Sequence, residues 1–170
     1  FKEENRISMN IYANRLIKSL KNKNDLIISS ITPKIKFISQ FLGQNNGLRY
    51  ARYITYPNQI KKKKYFDIAH VCDHQYAHLV NHIKSKIKII TVHDLIPIVF
   101  EKEKKKNPLL LKYSLRKLKY FDTVIAVSEH TKKDILKFTD CPEEKIKVIY
   151  HGVEDYFNTG KIDIKNVCKK

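Results

Sequence analysis

Glycine is scarce, with four in 170 residues. Neither GxGxxG nor GxxxxGK followed by Ser or Thr can be assembled. A Rossmann dinucleotide cradle and a P-loop are therefore excluded within this chain. Cysteine is also sparse: Cys72, Cys141 and Cys168 stand far apart, with no CxxC pair. That spacing argues against a zinc site, and the odd count without secretory features points to reduced thiols in a cytosolic setting. No apolar run approaches the roughly 18 residues that span a bilayer. No serine sits in a Gly-flanked elbow, which argues against Ser/His/Asp hydrolysis. Arginine supplies only positions 6, 15, 49, 52 and 116 of the 34 basic residues.

Charge is what the chain has in excess, a net +17 with pI near 9.7. Two readings stand side by side. One is a polyanionic partner: nucleic acid, acidic membrane or phosphorylated substrate. The other is codon usage, because lysine far outnumbers arginine and Asn and Ile are abundant, as an AT-rich genome produces. Lys61–Lys64 and Lys104–Lys106 read as solvated faces, either of which can touch anionic lipid. Basic and aromatic residues across 49–65 suggest a membrane-facing stripe, with core contact and snorkelling stems as its structural alternative.

The pattern of apolar residues predicts an alternation of strands and helices. Ser8–Leu20 reads as an amphipathic helix with Ser8 as its cap. Asp25–Ile31 reads as a short strand ended by Pro33. Phe37, Ile38, Phe41 and Leu42 allow a short helix before a break at Gly43–Gly47. Leu48–Lys62 reads as helical with an interruption at Pro57. Phe66–Val71 is a strand and Tyr76–Ile83 a short helix. The apolar first part of Lys86–Phe100 is a buried strand ending in His93 and Asp94. Asn107–Pro108 opens a helix through Tyr120, with Leu110, Leu111, Ser114, Leu115 and Leu118 on one face. Thr123–Val127 is a strand, Ser128 caps the helix after it, and Lys145–Tyr150 is the last strand.

Strands this rich in Val and Ile, separated by helices, predict an α/β fold: a parallel, Rossmann-like sheet with helices on both faces. The strand ends then gather Asp73 with His74, His93 with Asp94, Ser128 with Glu129, and His151 with Gly152 on one rim. In open α/β sheets ligands bind at that rim. His70, His74, His78 and His82 are four apart, but His70 falls in a strand. Only His78 and His82 can pair on a helix, and without a third donor no metal is expected.

Three segments in order, TVHDLIP at 91–97, FDTVIAVSEHTKKDI at 121–135 and EKIKVIYHGVEDYF at 144–157, resemble the N-terminal domain of family 4 glycosyltransferases. FDIAHVCDHQYAHLV at 66–80 is similar to the same group. The resemblance implies one half of a two-domain GT-B fold. Residues 1–157 would be the acceptor-side domain with a first strand missing, and 158–170 the start of a linker to a donor-binding domain outside this chain. It implies a retaining hexosyl transfer from a nucleotide sugar to a glycan or lipid-linked acceptor in cell-surface polysaccharide synthesis. The nucleotide sugar is a co-substrate; no cofactor and no metal is implied, and no nucleic acid partner. This chain alone would be inactive. The location implied is cytoplasmic, with peripheral contact at the inner face of an anionic membrane.

By position, the resemblance makes His93 the catalytic residue, with a hydrogen bond to a sugar hydroxyl or acceptor oxygen; its structural alternative is a cap on backbone. Asp73, His74, Asp94, His151 and Gly152 would bind acceptor or substrate. Asp94 would orient His93, bind a hydroxyl, or cap the next loop. His151-Gly152 stands where relatives often carry Asn-Gly, and the glycine would permit a tight turn. The rival reading is a stand-alone Rossmann-like module that binds an anionic partner without catalysis. A sugar-nucleotide epimerase on the same fold ranks below both.

Overall fold

The computed structural model describes residues 7–21, 23, 25–32, 44–100 and 109–152. The short helix read over 37–42, the Gly43 break, Asn107–Pro108, Lys104–Lys106 and the linker at 158–170 lie outside the described residues.

Four strands form one parallel sheet in the order β1 (Phe66–Val71), β2 (Ser85–Val92), β3 (Thr123–Ala126), β4 (Ile146–Val148). Register is set by pairs such as Ile68 with Ile87, Ile90 with Val124, and Val124 with Ile146. Each strand is added beside its predecessor in the same direction. Parallel crossovers are right-handed, so successive additions of this kind place their connections on one face of the sheet. The core lies accordingly. Ile90, Val92, Val124, Ala126 and Ile146 point toward Ala77, Leu95, Leu115, Leu118 and Ile135 from those connections. The opposite face is met by α1 (Ile7–Lys21), through Tyr12. Ile68 and Ile87 on that face remain exposed.

α1 matches the predicted helix within a residue at each end, and Ser8 lies inside it rather than capping it. The strand read over Asp25–Ile31 does not form. Those residues make no ladder with the four described strands, and Ile27 is fully exposed. An apolar run becomes a strand only where a neighbouring edge accepts it. Here the segment is tied instead by Tyr56, whose hydroxyl donates to the Ile31 carbonyl at 2.8 Å.

From Gln44 to Lys61 the chain is helical throughout: α2 (Gln44–Tyr50), a π-helical stretch (Ala51–Thr55) and α3 (Tyr56–Lys61). Gly47 lies buried inside α2, so the break expected to run to it does not occur there. The interruption predicted at Pro57 is accommodated as the π stretch. Proline has no N–H to complete an α bond and its ring crowds the preceding turn; a wider turn just before it absorbs both. Tyr56 and Ile60 then pack on Tyr76 and Leu79 in a second, smaller cluster.

The helix read over 107–120 is shorter. A single turn, α4 (Ile96–Val99), follows β2; α5 then spans Leu109–Leu115 and a separate 3₁₀ turn covers Leu118–Tyr120. Ser114, Leu115 and Leu118 are buried and Leu111 packs against the core, so of the predicted face only Leu110 is exposed. The helix after β1 is a 3₁₀ helix, His74–Asn81. At three residues per turn, positions four apart do not align. His78 is buried against Ser114 and the Arg52 carbonyl, whereas His82 caps the helix end, so the two do not pair. β4 stops two residues early because β3 offers no partner beyond Ala126; Ile149 N still donates to the Ala126 carbonyl.

α6 (Glu129–Phe138) begins as expected. The Ser128 hydroxyl accepts from Thr131 N at 3.0 Å, and Glu129 lies in the first turn, where negative charge is favoured. Replacing Ser128 by alanine should cost about 1 kcal/mol of folding free energy. Urea unfolding checks this, and an unchanged midpoint would contradict the capping role.

Candidate functional site

The site is built where β2 ends. Thr91 is its last residue but one, on the face opposite the main core, and is 0% exposed. A buried hydroxyl needs partners. Thr91 Oγ1 has two: Tyr12 OH at 3.1 Å from α1 and His70 Nε2 at 2.8 Å from β1. With one proton and two lone pairs, the Thr91 hydroxyl can satisfy both partners at once, as donor to one and acceptor from the other or as acceptor from both. Three elements are thereby joined through one atom.

Two residues on, His93 leaves the strand half-buried. Its Nε2 lies 3.0 Å from the Cys72 carbonyl at the end of β1. A carbonyl only accepts, so this nitrogen carries the proton. In the neutral ring Nδ1 then holds a lone pair, and it has no hydrogen-bond partner among the described residues. The main chain of His93 is fixed as well. Thr131 Oγ1 donates to its carbonyl at 3.2 Å, and Ser128 Oγ, 3.0 Å from Thr131 Oγ1, donates to Thr131 in turn. The cap of α6 thus holds the catalytic candidate in place.

His151 closes the group from beyond β4. Its ring stacks on His93 at 5.3 Å between centroids and 16° between planes. Tyr12 meets both rings by its edge, at 4.9 Å from His93 and 5.3 Å from His151. The result is an aromatic corner of two imidazoles and a phenol, with one imidazole nitrogen ready to accept from a hydroxyl.

The other sequence candidates are placed as follows. Asp73 is 1% exposed and caps the 3₁₀ helix by accepting from Gln75 N at 2.9 Å. His74 is buried beside it, Nδ1 3.7 Å from Asp73 Oδ1. Both are therefore part of the wall behind the rim. Asp94 is exposed and accepts from Ile96 N at 3.1 Å, which is the loop-capping arrangement; it makes no hydrogen bond to His93 among the described residues. Gly152 is not in a left-handed conformation, and a Cβ there would meet nothing within 4 Å, so no turn at this point requires glycine. No group of three or more His, Cys, Asp or Glu that could hold a metal occurs among the described residues.

Sequence reasoning missed Tyr12, Thr91, His70 and Thr131. Thr91 and His70 had a signal, each a polar residue set between apolar neighbours near the end of its strand. Tyr12 and Thr131 had none, because their roles come from elements distant in the chain.

Burial governs the titration of the group. His70 is pushed down to about 4 by burial and then by the charge of His93. His151 is lowered by the same two causes in the same order. Burial, then Asp73, raises the Cys72 thiol to about 11, so it stays protonated and unreactive. Burial also raises Tyr12, partly offset by its bond to Thr91.

In open parallel α/β sheets ligands bind at the carboxyl ends of the strands, which is where these hydrogen-bonding side chains gather. A family model, Glycosyltransferase Family 4, matches residues 11–156, and the chain belongs to that family, as its N-terminal domain. The two-domain GT-B architecture is consistent with this assignment. No curated protein matches the chain.

The lowered His70 has a consequence for stability. The unfolded chain takes up this proton near 6.5, the native one only near 4. The contribution is complete above 6.5 and is lost as pH falls from there toward 4, at up to about 1.4 kcal/mol per pH unit. Urea midpoints measured across that window should fall, and should fall less steeply in His70→Gln. Parallel curves for the two proteins would contradict the burial of a neutral imidazole.

Proposed function

We propose that this domain forms the acceptor side of the cleft in a retaining hexosyltransferase. A second, donor-binding domain would complete the cleft. A nucleotide sugar would supply the hexose and a glycan or lipid-linked acceptor would receive it. In such a transfer the bond from the anomeric carbon to the diphosphate breaks. The acceptor oxygen forms its bond to that carbon on the same face, and the acceptor proton leaves with the diphosphate. No metal is required where positive charge and helix N-terminal amides of the donor domain stabilise the leaving group.

The observation that carries this reading is the state of His93 in a chain of this family. Its Nε2 is committed to the Cys72 carbonyl, which orients the ring; its Nδ1 can accept from a hydroxyl of the sugar or acceptor. The flanking rings of Tyr12 and His151 suit the C–H face of a pyranose. Structural capping and substrate contact are thus two uses of one imidazole. Asp73, His74 and Asp94 would shape the rim from behind or beside it. Cell-surface polysaccharide synthesis in the cytoplasm fits a donor of this class and the free thiols at Cys72 and Cys141. No helix among the described residues is long and apolar enough to cross a membrane.

The test is sugar transfer by the protein carrying both domains. His93→Ala should lower kcat/KM by about a hundredfold, as loss of a positioned hydrogen-bonding group does, with circular dichroism unchanged. Full activity in that variant would refute the assignment.

A further inference from the structure

His93 is held from two sides, and a helix cap stands behind each. Its carbonyl takes a bond from Thr131, whose place is set by the Ser128 cap of α6. Its ring takes its direction from the Cys72 carbonyl, 3.0 Å from Nε2. The ring is only as fixed as the acceptor it meets.

Cys72 lies beyond the last ladder pair of β1, Val71 with Ile90, so the sheet anchors the residue before it. On the other side stands Asp73, which is anchored twice. Its Oδ1 accepts from Gln75 N at 2.9 Å, and its carbonyl accepts from Tyr76 N at 3.0 Å. Its backbone is extended, with φ −149° and ψ 126°. The peptide joining Cys72 to Asp73 is planar. Once Asp73 is fixed, its φ alone sets the direction of the Cys72 carbonyl. The 3₁₀ helix that supplies both bonds is a firm reference. Gln75 receives Arg52 Nη1 on its Oε1 at 2.8 Å and Ser114 Oγ on its carbonyl at 3.1 Å. Tyr76, Ala77 and Leu79 are buried.

We propose that Asp73 is a positioning residue for the transfer: by capping the His74–Asn81 helix it aims the Cys72 carbonyl at His93 and leaves Nδ1 to the substrate hydroxyl. At 1% exposure this carboxylate acts through the backbone and not by touching substrate. The part played in transfer rests on the transferase reading above; the link from Asp73 to the His93 ring does not, and each is read separately.

The first readout needs no activity. In the ¹⁵N-labelled chain at about pH 8, above the ordinary imidazole range, the His93 Nε2–H proton should be visible, because a bond to a carbonyl shields it from exchange with water. Its loss in His93→Gln assigns the signal. Asp73→Ala should lose the signal. Asp73→Asn, which keeps an acceptor oxygen in the same place, should retain it. Ile60→Val thins the cluster packed on the same helix without touching the cap, and should retain it too. Where alanine prevents folding, Asp73→Gly takes its place, since glycine is tolerated at caps without a side-chain bond. The second readout is sugar transfer by the protein carrying both domains. Asp73→Ala should lower kcat/KM at least about tenfold, as a misplaced reacting group does, and Asp73→Asn should restore most of it. The link is overturned if a folded Asp73→Ala or Asp73→Gly chain keeps the Nε2–H signal, if Ile60→Val loses it equally, or if asparagine behaves as alanine does. A lost signal with unchanged transfer overturns the positioning role, and His93→Ala then decides the transferase reading on its own.

Discussion

The Thr91 hydroxyl is the joint on which the rim depends. It is wholly buried, and it holds α1 through Tyr12 and β1 through His70 while belonging to the central strand. Removing it would leave two half-buried partners short of a hydrogen bond, at no more than about 1–3 kcal/mol for each. Two residues later the same strand delivers His93, whose ring is tied to β1 and whose carbonyl is tied to α6. The imidazole is held at both ends by elements that pack independently of it. That is the pre-organisation a group needs if it is to meet a sugar hydroxyl in one geometry.

Much of this was legible in the residues. The runs FDIAHV and TVIA were readable as strands because both are short, carry β-branched residues and end near polar positions, although only TVIA places residues in the buried core. Ser128 was readable as a cap because its hydroxyl acts locally, on an amide three residues away. What escaped was non-local. DLIISSI carries a strand pattern as convincing as that of β1, yet whether it pairs depends on an available edge. Tyr12 sits 79 residues from Thr91, and no periodicity within α1 announces their contact. His93 was identified by its place at a strand end and by resemblance. Its tautomer became readable only when Cys72 O was found against Nε2. Asp73 and Asp94, read beside it, have capping geometry that short polar residues at chain reversals often adopt.

The one-sided build of the sheet explains why the rim is asymmetric. The connections between strands fill a single face, where the apolar core lies. The other face carries the polar joint, with Thr91 and His70 under α1 and with Ile68 and Ile87 left exposed. Polar side chains are tolerated on that face because each finds a partner there. The aromatic corner of Tyr12, His93 and His151 stands at its upper edge, where family membership and local chemistry coincide.

The most direct test of this account is the nuclear Overhauser contact between the Tyr12 ring and the His93 imidazole, compared in the wild-type chain and in Thr91→Val. Valine conserves the shape and removes only the hydroxyl. The account predicts a clear contact in the wild type that weakens or disappears in the variant while the sheet remains folded. An unchanged contact in a folded Thr91→Val protein would contradict the claim that this hydroxyl sets the rim.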